Sequence, residues 1–435
     1  MMPRYDVYKD SGVEWIGEIP EHWDYKKITH CFNLIGSGTT PSSTTSEYYE
    51  NGKINWLQTG DLTDGIITRT SKLITQKAFD DLNLKIYPSN SLIIAMYGAT
   101  IGKVGLLKID TTTNQACCVL ADPKGVYVNY AFYWFIANKD RVVSLGYGGG
   151  QPNISQETIK SLRIHCPPTT EQTQIVTYLD KKTSLIDELI SLKERKIELL
   201  KEKRIALINH VVTKGLDPNV KMKESGVEWI GEIPEHWEVK KMKYAVFHST
   251  EKALPPTDAI KISPENVESN TGKCLNYRSE YEGEGYSFTK GDLLLNKLRI
   301  YLKKILFAEL DGFSMGEMLV LRCKSTLYNR YFYYLLFNQG LIDFLDAQST
   351  GIKMPRVSPE IILNTRIIYP PKSEQTQIVK YLDKKTKKID NLLTLEQKKI
   401  ELLKEYRESL ISEVVTGKIK VMKDAYSPQQ AEQDA

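Results

Sequence analysis

A segment that occurs twice in the chain carries residue types that acid–base catalysis uses. The sequence SGVEWIGEIPEHW at residues 11–23 returns unchanged at residues 225–237, and each copy could supply a general acid and a general base to a hydrolase. The acidic and imidazole side chains are Glu14, Glu18, Glu21 and His22 in the first copy and Glu228, Glu232, Glu235 and His236 in the second. Tryptophan, isoleucine and proline accompany them, a mixture more typical of packing or protein contact than of an acid–base pair. The candidate partner-docking residues are Trp15, Trp23, Trp229 and Trp237.

A second stretch has residue types that contact nucleic acid. Residues 288–304, FTKGDLLLNKLRIYLKK, contain five basic side chains and one acidic one. Period-two alternation would place Lys297, Arg299 and Tyr301 on one face of a strand, where they could reach phosphates or base edges. The alternative is a solvated strand edge whose charge is balanced by the glutamates at residues 280–284.

Motifs for other chemistries are missing. GATIGKVG at residues 98–105 is one residue too short for a phosphate-binding G-x-x-x-x-G-K-[ST] loop, and Val104 stands where the magnesium-binding hydroxyl belongs. The sequence has neither a G-x-G-x-x-G motif nor the Asp/Asn-Pro-Pro-aromatic motif of adenine methyltransferases. The six cysteines show no C-x-x-C spacing, which argues against a zinc site or a disulfide framework. We therefore expect no metal or cofactor in this chain.

Length and composition indicate a folded protein of more than one domain. The chain has 435 residues, of which 41% are hydrophobic and 26% charged. Its net charge of +4 is too small to indicate nucleic acid by itself, so any basic surface must be local. Uncharged apolar runs fall well short of the roughly 20 residues that span a bilayer. The first residues lack the apolar core of a secretory signal, so we expect a cytoplasmic protein with no membrane contact.

The chain is a tandem duplication. Besides the identical segments, which lie 214 residues apart, residues 171–215 are repeated at residues 374–418, an offset of 203. Both copies begin EQTQIV-x-YLDKKT and continue through KIELLKE. The sequences between these repeats have diverged, although an Asn-x-x-Phe-Tyr pattern at residues 129–133 matches residues 329–333 at an offset of 200. Matching flanks around different middles indicate one fold that is used twice in two different surroundings.

Each copy of the longer repeat predicts a long helix. Thr170 or Ser373 can cap it, Glu171 or Glu374 lies in its first turn, and a glycine ends it. The apolar residues follow a heptad-like pattern that is typical of a coiled-coil seam. They are Ile175, Leu179, Ile186, Leu189, Ile197, Leu200, Leu207 and Val211, with Ile378, Leu382, Ile389, Leu392, Ile400, Leu403, Leu410 and Val414 in the second copy. A helix of about 64 Å is longer than a compact domain needs. We expect the two helices to pair antiparallel between two domains; two independent dimerisation helices are the alternative.

The segments between the repeats predict mixed α/β domains. Strand-like runs lie at residues 91–97, 117–120, 292–295 and 318–322, and short aromatic helices at residues 129–138 and 329–338. The predicted fold class is therefore α/β (mixed α+β) and internally duplicated. The predicted order is an N-terminal repeat segment (1–27), a first domain (28–166), a first helix (167–215), a linker with the second repeat segment (216–241), a second domain (242–369), a second helix (370–418) and a disordered tail (419–435).

This order of segments resembles the specificity subunit of type I DNA restriction-modification systems. Pro-Pro-x-x-EQ-x-x-I followed by a long heptad helix occurs twice, and the resemblance extends from Tyr8 to about Lys418. Further matching stretches are GSGTTPS at residues 36–42, INWLQTGDL at 54–62, YGATIGKVG at 97–105, TNQAC at 113–117 and NKLRIYLKK at 296–304.

The resemblance implies a non-catalytic DNA reader. Each of two target recognition domains would read one half of a split, asymmetric sequence in double-stranded DNA. The paired helices would act as spacer and as a platform for two methyltransferase subunits. Methylation with S-adenosylmethionine would belong to those partners, and cleavage with ATP and magnesium to restriction subunits.

The candidate DNA-contacting residues lie on the matching stretches and on two glycine-containing loops, residues 146–153 and 349–356. They are Thr39, Thr40, Trp56, Gln58, Tyr97, Lys103, Gln151, Asn153, Lys297, Arg299, Tyr301, Lys303, Lys304, Lys353 and Arg356. Two other functions remain open from the residues. One is the duplicated hydrolase, and the other is a coiled-coil scaffold, which would leave both diverged domains without a task.

Overall fold

The computed structural model describes residues 3–12, 17–146 and 153–422. It divides into two compact units: residues 1–192 with 399–435, and residues 193–398. Each long helix therefore contributes one half to each unit. Within the described residues, none of the helices combines the length and the apolar character needed to cross a membrane.

The first unit is built around a five-stranded sheet. The strands of the whole unit are β1 (Tyr8–Asp10), β2 (Glu18–Pro20), β3 (Asp24–Lys27), β4 (Phe32–Gly36), β5 (Ile54–Leu57), β6 (Gly65–Ile67), β7 (Lys72–Ile74), β8 (Leu92–Ala95), β9 (Val104–Leu107), β10 (Thr112–Thr113), β11 (Cys117–Pro123) and β12 (Arg163–Cys166). Its helices are α1 (Ile28–Cys31), α2 (Gln76–Asp81), α3 (Val128–Ala137), α4 (Lys139–Ser144), α5 (Gln156–Ser161) and the first part of α6 (Thr169–Lys214). Single 3-10 turns lie at Ser46–Tyr48 and Thr59–Asp61.

Both faces of the five-stranded sheet are buried. The strand order is β4-β11-β8-β9-β6, antiparallel except for the β6–β9 pair. Successive side chains of a strand point to opposite faces, so Leu92 and Ile94 join the core that contains α3. Ile93 and Ala95 join a second core, which includes Leu57. A smaller sheet of order β10-β5-β7 lies beyond it.

The second unit repeats this plan with two four-stranded sheets. Its strands are β13 (Met222–Glu224), β14 (Glu232–Pro234), β15 (Glu238–Lys241), β16 (Val246–His248), β17 (Lys252–Ala253), β18 (Lys261–Ile262), β19 (Gly285–Phe288), β20 (Leu293–Asn296), β21 (Ile305–Phe307), β22 (Gly312–Ser314), β23 (Met318–Cys323) and β24 (Arg366–Tyr369). Its helices are the last part of α6, α7 (Asn329–Leu336), α8 (Gln339–Asp346), α9 (Pro359–Asn364) and the first part of α10 (Lys372–Val415). Single 3-10 turns lie at Met242–Tyr244, Pro264–Asn266 and Ile300–Leu302.

The sheets of the second unit have the orders β16-β23-β20-β21 and β17-β19-β22-β18. Leu293 and Leu295 of β20 face the core that contains α7, and Leu294 faces the core of the other sheet. The mixed α/β class, the strands expected on β8, β11, β20 and β23, and the aromatic helices α3 and α7 are confirmed.

The long helices pack on each other, antiparallel, in each unit. In the first unit, Ile175 and Ile186 of α6 share a core with Val414 of α10, and Arg407 Nε lies 3.0 Å from Asp187 Oδ1. In the second unit the equivalent pair joins Arg204 Nε to Asp390 Oδ1 at 2.9 Å, and the same packing joins Ile208 and Val211 to Ile378 and Leu382. The expected antiparallel pairing is therefore confirmed.

A buried carboxylate lies in this helix pair. Glu396 is 1% exposed and accepts hydrogen bonds from the ammonium groups of Lys193 at 3.1 Å and Lys196 at 2.9 Å.

One residue of the predicted coiled-coil seam is not buried. Leu189 is 47% exposed. The heptad pattern did not indicate the exposure of Leu189, because α6 buries a residue only where α10 or a domain covers it.

The doubled segments hold the ends of the long helices. In the first unit, Glu171 in the first turn of α6 accepts a hydrogen bond from the Trp23 indole at 3.2 Å and lies 2.8 Å from His22 Nε2. Gly417, which follows α10 in a left-handed conformation (φ 76°), packs against Pro20 and Trp23. The segment therefore joins the start of one helix to the end of the other.

The second copy makes the same contacts in the second unit. Glu374 accepts from the Trp237 indole at 2.9 Å and lies 2.6 Å from His236 Nε2, and Gly215 packs against Trp237. Trp23 and Trp237 are both 0% exposed, so the structure places these two predicted docking residues in the core. Trp229 is half-buried beside Gly340, and Trp15 and Glu14 lie outside the described residues.

Tyrosines of α3 and α7 give the true register of the duplication. Tyr133 Oη donates to Asp180 Oδ1 and Tyr334 Oη to Asp383 Oδ1, both at 2.6 Å. These two helices are therefore related by an offset of 201, and the offset of 200 read from the sequence is wrong by one residue. The error arose because the chain is rich in aromatic residues at this point, and the Asn-x-x-Phe-Tyr pattern matches one position out of step.

The segment that follows the second long helix packs on the core of the first unit. Ile419 and Val421 pack against its core, and the Lys420 N–H donates to the Pro3 carbonyl at 2.9 Å. Packing thus extends into the segment expected to be a disordered tail, and residues 423–435 lie outside the described residues.

Candidate nucleic-acid interface

Each unit presents an equivalent hairpin at one end of its main sheet. Strands β8 and β9 pair Ile94 with Val104, and β20 and β21 pair Leu295 with Ile305, an offset of 201 in both strands. The two connections have equal length. We call residues 96–103 the first hairpin loop and residues 297–304 the second hairpin loop.

Both hairpin loops bend at the same two positions. In the first, Gly98 and Gly102 have φ of 85° and 75°; in the second, Arg299 and Lys303 have φ of 50° and 46°. A left-handed conformation costs a residue with a Cβ atom about 1–2 kcal/mol. The second unit therefore holds two cationic residues where the first uses glycine, a departure of the kind found at functional sites.

The hairpin loops are anchored by the same backbone contacts. The Met96 N–H donates to the Ala116 carbonyl at 2.8 Å, and the Lys297 N–H donates to the Glu317 carbonyl at 3.1 Å. A third segment also contacts each hairpin loop: the Ile154 N–H donates to the Met96 carbonyl at 2.8 Å, and the Val357 N–H donates to the Lys297 carbonyl at 3.0 Å. Three chain segments that are remote in sequence meet at each site.

Four sequence-predicted residues come together in the second unit. The Arg299 guanidinium donates to the Lys353 carbonyl at 3.1 Å, which joins the second hairpin loop to the second distal loop (residues 349–356). Lys297 and Arg356 form ion pairs with Glu317 at 3.1 and 2.9 Å. We call Lys297, Arg299, Lys353 and Arg356 the basic patch. Its cations outnumber the carboxylate of Glu317, so the patch can attract a polyanion.

The basic patch is exposed, but its geometry is not that of a strand. Arg299, Lys353 and Arg356 are exposed, as is Tyr301 at 45%. Because β20 ends at Asn296 and a 3-10 turn follows, the expectation that alternate residues share one strand face is wrong. The balancing acid is also different from the glutamates at residues 280–284, because Glu317 reaches the patch from another segment.

Two lysines of the predicted set are turned into the protein. Lys304 Nζ donates to the Pro264 carbonyl at 2.6 Å. Lys303 is 3% exposed, its Nζ donates to the Phe337 carbonyl at 3.3 Å and to the Gln339 side chain, and burial lowers the pKa of its ammonium. Lys303 therefore connects the second hairpin loop to the segment between α7 and α8. Its ammonium group is buried, so a phosphate does not reach it.

Replacing Lys303 by alanine should therefore destabilise the protein. The Phe337 carbonyl would lose a charged donor, and we expect the free energy of unfolding to fall by about 1–3 kcal/mol, measured as a lower urea midpoint. Lys353→Ala, at an exposed position, should leave the midpoint unchanged. An unchanged midpoint for Lys303→Ala would contradict this structural role of the Lys303 ammonium group.

In the first unit, polar residues surround the first hairpin loop. Thr40 donates to the exposed Gln115 side chain, which also hydrogen-bonds Tyr97, and burial raises the pKa of the Tyr97 phenol. Lys103 is half-buried at the end of the loop, and the exposed Asn153 precedes Ile154, which binds Met96 of the loop. Thr40, Tyr97, Lys103 and Asn153 are thus gathered around one loop.

Other predicted residues of the first unit have structural roles. Trp56 is 1% exposed, and its indole donates to the Thr39 carbonyl at 3.2 Å. Gln58 caps the 3-10 turn that follows β5. The structure thus places Trp56 in a core instead of at a DNA surface, and Gln151 lies outside the described residues.

Two residues of the sites, Gln115 and Glu317, were not predicted from the sequence. Gln115 stands within the quoted TNQAC stretch, so its position was visible although its contacts were not. No sequence pattern indicated Glu317, because its ion pairs with Lys297 and Arg356 form only when three segments of the chain come together in the fold. Among the described residues, no cluster of His, Cys, Asp or Glu is suited to hold a metal ion.

Comparison with known proteins gives a consistent family. A family model described as the type I restriction modification DNA specificity domain matches residues 20–202 and again residues 234–405. The chain is similar to the type I restriction enzyme MjaIX specificity subunit of Methanocaldococcus jannaschii, with 26% identity over 93% of this chain and 95% of that protein.

Two solved structures share the fold. A chain from a study of complex assembly in a type I R-M system aligns with a TM-score of 0.69 and 14% identity, over 91% of this chain and 98% of that one. The HsdS subunit of Thermoanaerobacter tengcongensis aligns with a TM-score of 0.54 and 15% identity, over 92% of this chain and 98% of that one.

Proposed function

Because the chain belongs to the type I restriction modification DNA specificity family, we propose that it is the DNA sequence-specificity subunit of a type I restriction-modification complex. One observation carries this most directly. The two hairpin loops share their backbone path and anchors, while Gly98 and Thr100 in one correspond to the exposed Arg299 and Tyr301 in the other. A common frame with different side chains suits two readers of the same polymer that recognise different bases.

The target would be bipartite and asymmetric. Each unit would read one half-site of double-stranded DNA through its hairpin loop and distal loop, since base-edge contacts specify sequence and phosphate contacts position the protein. The long helices would set the number of unspecified base pairs between the half-sites.

The chain would recruit its catalytic partners and would itself be non-catalytic. Two equivalent contexts, each made of a doubled segment and a helix start, suit two copies of a methyltransferase subunit, and restriction subunits would join them. Trp23 and Trp237 would act by fixing each segment against Glu171 or Glu374, and partner contact would fall to exposed neighbours such as Glu21. Such a complex acts on chromosomal or foreign DNA, which places it in the cytoplasm.

Methylation profiling tests this role. Host DNA from cells that contain the chain with its methyltransferase should carry a split methylated motif, and the motif should vanish when the chain is deleted. Random-sequence duplexes selected by the purified complex should yield the same motif. An unchanged methylation profile after deletion, or methyl transfer by the isolated chain, would count against the proposal.

Within this function, Arg299 should read a base in the second half-site. Arg299→Ala should cost about 1–3 kcal/mol of binding free energy and relax preference at one position, because a guanidinium to guanine contact is lost. Binding to single-base variants of the selected motif measures this. Arg299→Gly should behave alike while keeping the left-handed backbone, as Gly98 does in the first unit.

Lys353→Ala provides the contrast. If its ammonium contacts a phosphate, binding to all sequences should weaken and the salt dependence should fall by roughly one counterion. Equal loss at both half-sites after Arg299→Ala would show that the basic patch does not read bases.

A further inference from the structure

The tip of the second distal loop projects an apolar side chain into solvent. Ile352 has a relative exposure of 102%, and Met354, two residues on, is 53% exposed. Single exposed apolar residues are common on protein surfaces. Ile352 differs because it stands within the basic patch, next to Lys353, whose carbonyl accepts the Arg299 guanidinium.

The tip is a built structure. Thr350 and Arg356 exchange two backbone hydrogen bonds of 2.9 Å, and Gly351 turns the chain with φ of 102°. The Arg299 N–H donates to the Pro355 carbonyl at 2.8 Å. The loop is therefore closed at its base and joined to the second hairpin loop, so that Ile352 is held outward by the backbone.

We propose that Ile352 reads a thymine of the second half-site by packing against its C5-methyl group in the major groove. This deepens the proposed function and rests on it. An isoleucine side chain has neither charge nor hydrogen-bonding groups, so a phosphate or a polar base edge gives it no favourable contact. The thymine methyl is the apolar group that a base pair presents in the major groove.

The surroundings favour DNA over a protein as the occupant. Arg299 and Lys353 flank the tip, and phosphates on either side of a groove match such a pair of cations. In this arrangement the cations position the loop, and Ile352 supplies discrimination between thymine and the other bases at one position.

Uracil substitution isolates the methyl contact. Each thymine of the second half-site, identified by methylation profiling, is replaced singly by deoxyuridine, and binding of the full chain in its methyltransferase complex is measured by anisotropy. For the wild-type chain, one replacement should weaken binding about five- to tenfold, as expected for an apolar contact of one methyl group and its neighbours. For Ile352→Ala, thymine and uracil at that position should bind equally.

Controls separate the contact from folding. Ile352 is fully exposed, so Ile352→Ala should keep the wild-type urea midpoint. Ile66→Ala removes an exposed isoleucine (61%) from the first unit and should leave thymine preference in the second half-site intact.

Three results would overturn the proposal. Ile352→Ala could bind like the wild type, it could lose the same factor on thymine and uracil duplexes as an apolar wedge between base pairs would, or the second half-site could contain no thymine on either strand. A wild-type complex without sequence preference would instead overturn the proposed function itself, and this inference with it.

Discussion

Inserting one heptad into both long helices should lengthen the unspecified gap of the DNA target by about three base pairs and leave both half-site sequences unchanged. The insertions belong after Glu194 and after Gln397, which are equivalent at the offset of 203. Seven residues add about 10.5 Å of helix, and B-DNA rises about 3.4 Å per base pair. If the helices are the spacer, the gap must follow their length.

The geometry of the helix pair dictates this design. A heptad preserves which face of each helix is buried. The ion pairs Arg204–Asp390 and Arg407–Asp187 lie on opposite sides of the insertions, each within one unit, so both should persist.

The expected effect is large. Affinity for the original spacing should fall toward non-specific binding, on the order of 10³-fold or more, while a target with a longer gap is bound normally. Duplexes with gaps lengthened one base pair at a time measure this. The same seven residues inserted at residues 216–221, outside the helices, should leave the gap unchanged. New base identities at an unchanged gap would refute the spacer role.

Acid should destabilise the first unit through His165. This side chain is 0% exposed in β12, its Nδ1 accepts the Trp134 indole N–H at 3.3 Å, and burial lowers its pKa to about 4. Between pH 6.5 and about 4 the unfolded chain therefore binds a proton that the folded chain does not. Stability that is present above pH 6.5 is lost as the pH falls through this window, by roughly 3 kcal/mol in all.

The duplication supplies the test variants. The position equivalent to His165 is Ile368 in β24, which pairs with β15 as β12 pairs with β3. His165→Ile should make the urea midpoint less sensitive to pH between 7 and 4, and Ile368→His should make it more sensitive. Equal pH profiles for the wild type and His165→Ile would show that His165 is not buried in its neutral form.

Repeats and helices were predictable from sequence because their signals are local. The heptad pattern, the first-turn glutamates Glu171 and Glu374, and the stops at Gly215 and Gly417 each depend on neighbours along one element. The caps expected at Thr170 and Ser373 lie one residue inside the helices, which begin at Thr169 and Lys372.

The candidate sites were predicted only in part, for physical reasons. Tyr97 and Lys103 were correctly expected on the loop that corresponds to the loop of Arg299. The prediction succeeded because the distance of a residue from the end of a strand can be counted along the sequence. The strand reading of residues 297–304 failed because Arg299 and Lys303 adopt a left-handed backbone that residue type does not signal. Burial of Lys303 and Trp56 depends on helices and loops far away in sequence.

The pair of Lys193 with Glu396 bears on which chains can assemble. These two residues occupy the same position of the repeat and face each other across the helix pair. In a dimer of identical half-length chains, that position would meet its own copy, lysine against lysine or glutamate against glutamate. Burying like charges together is strongly unfavourable, whereas opposite charges compensate each other. Divergence at this one site therefore favours pairing between the two halves of the molecule over pairing of either half with its own copy.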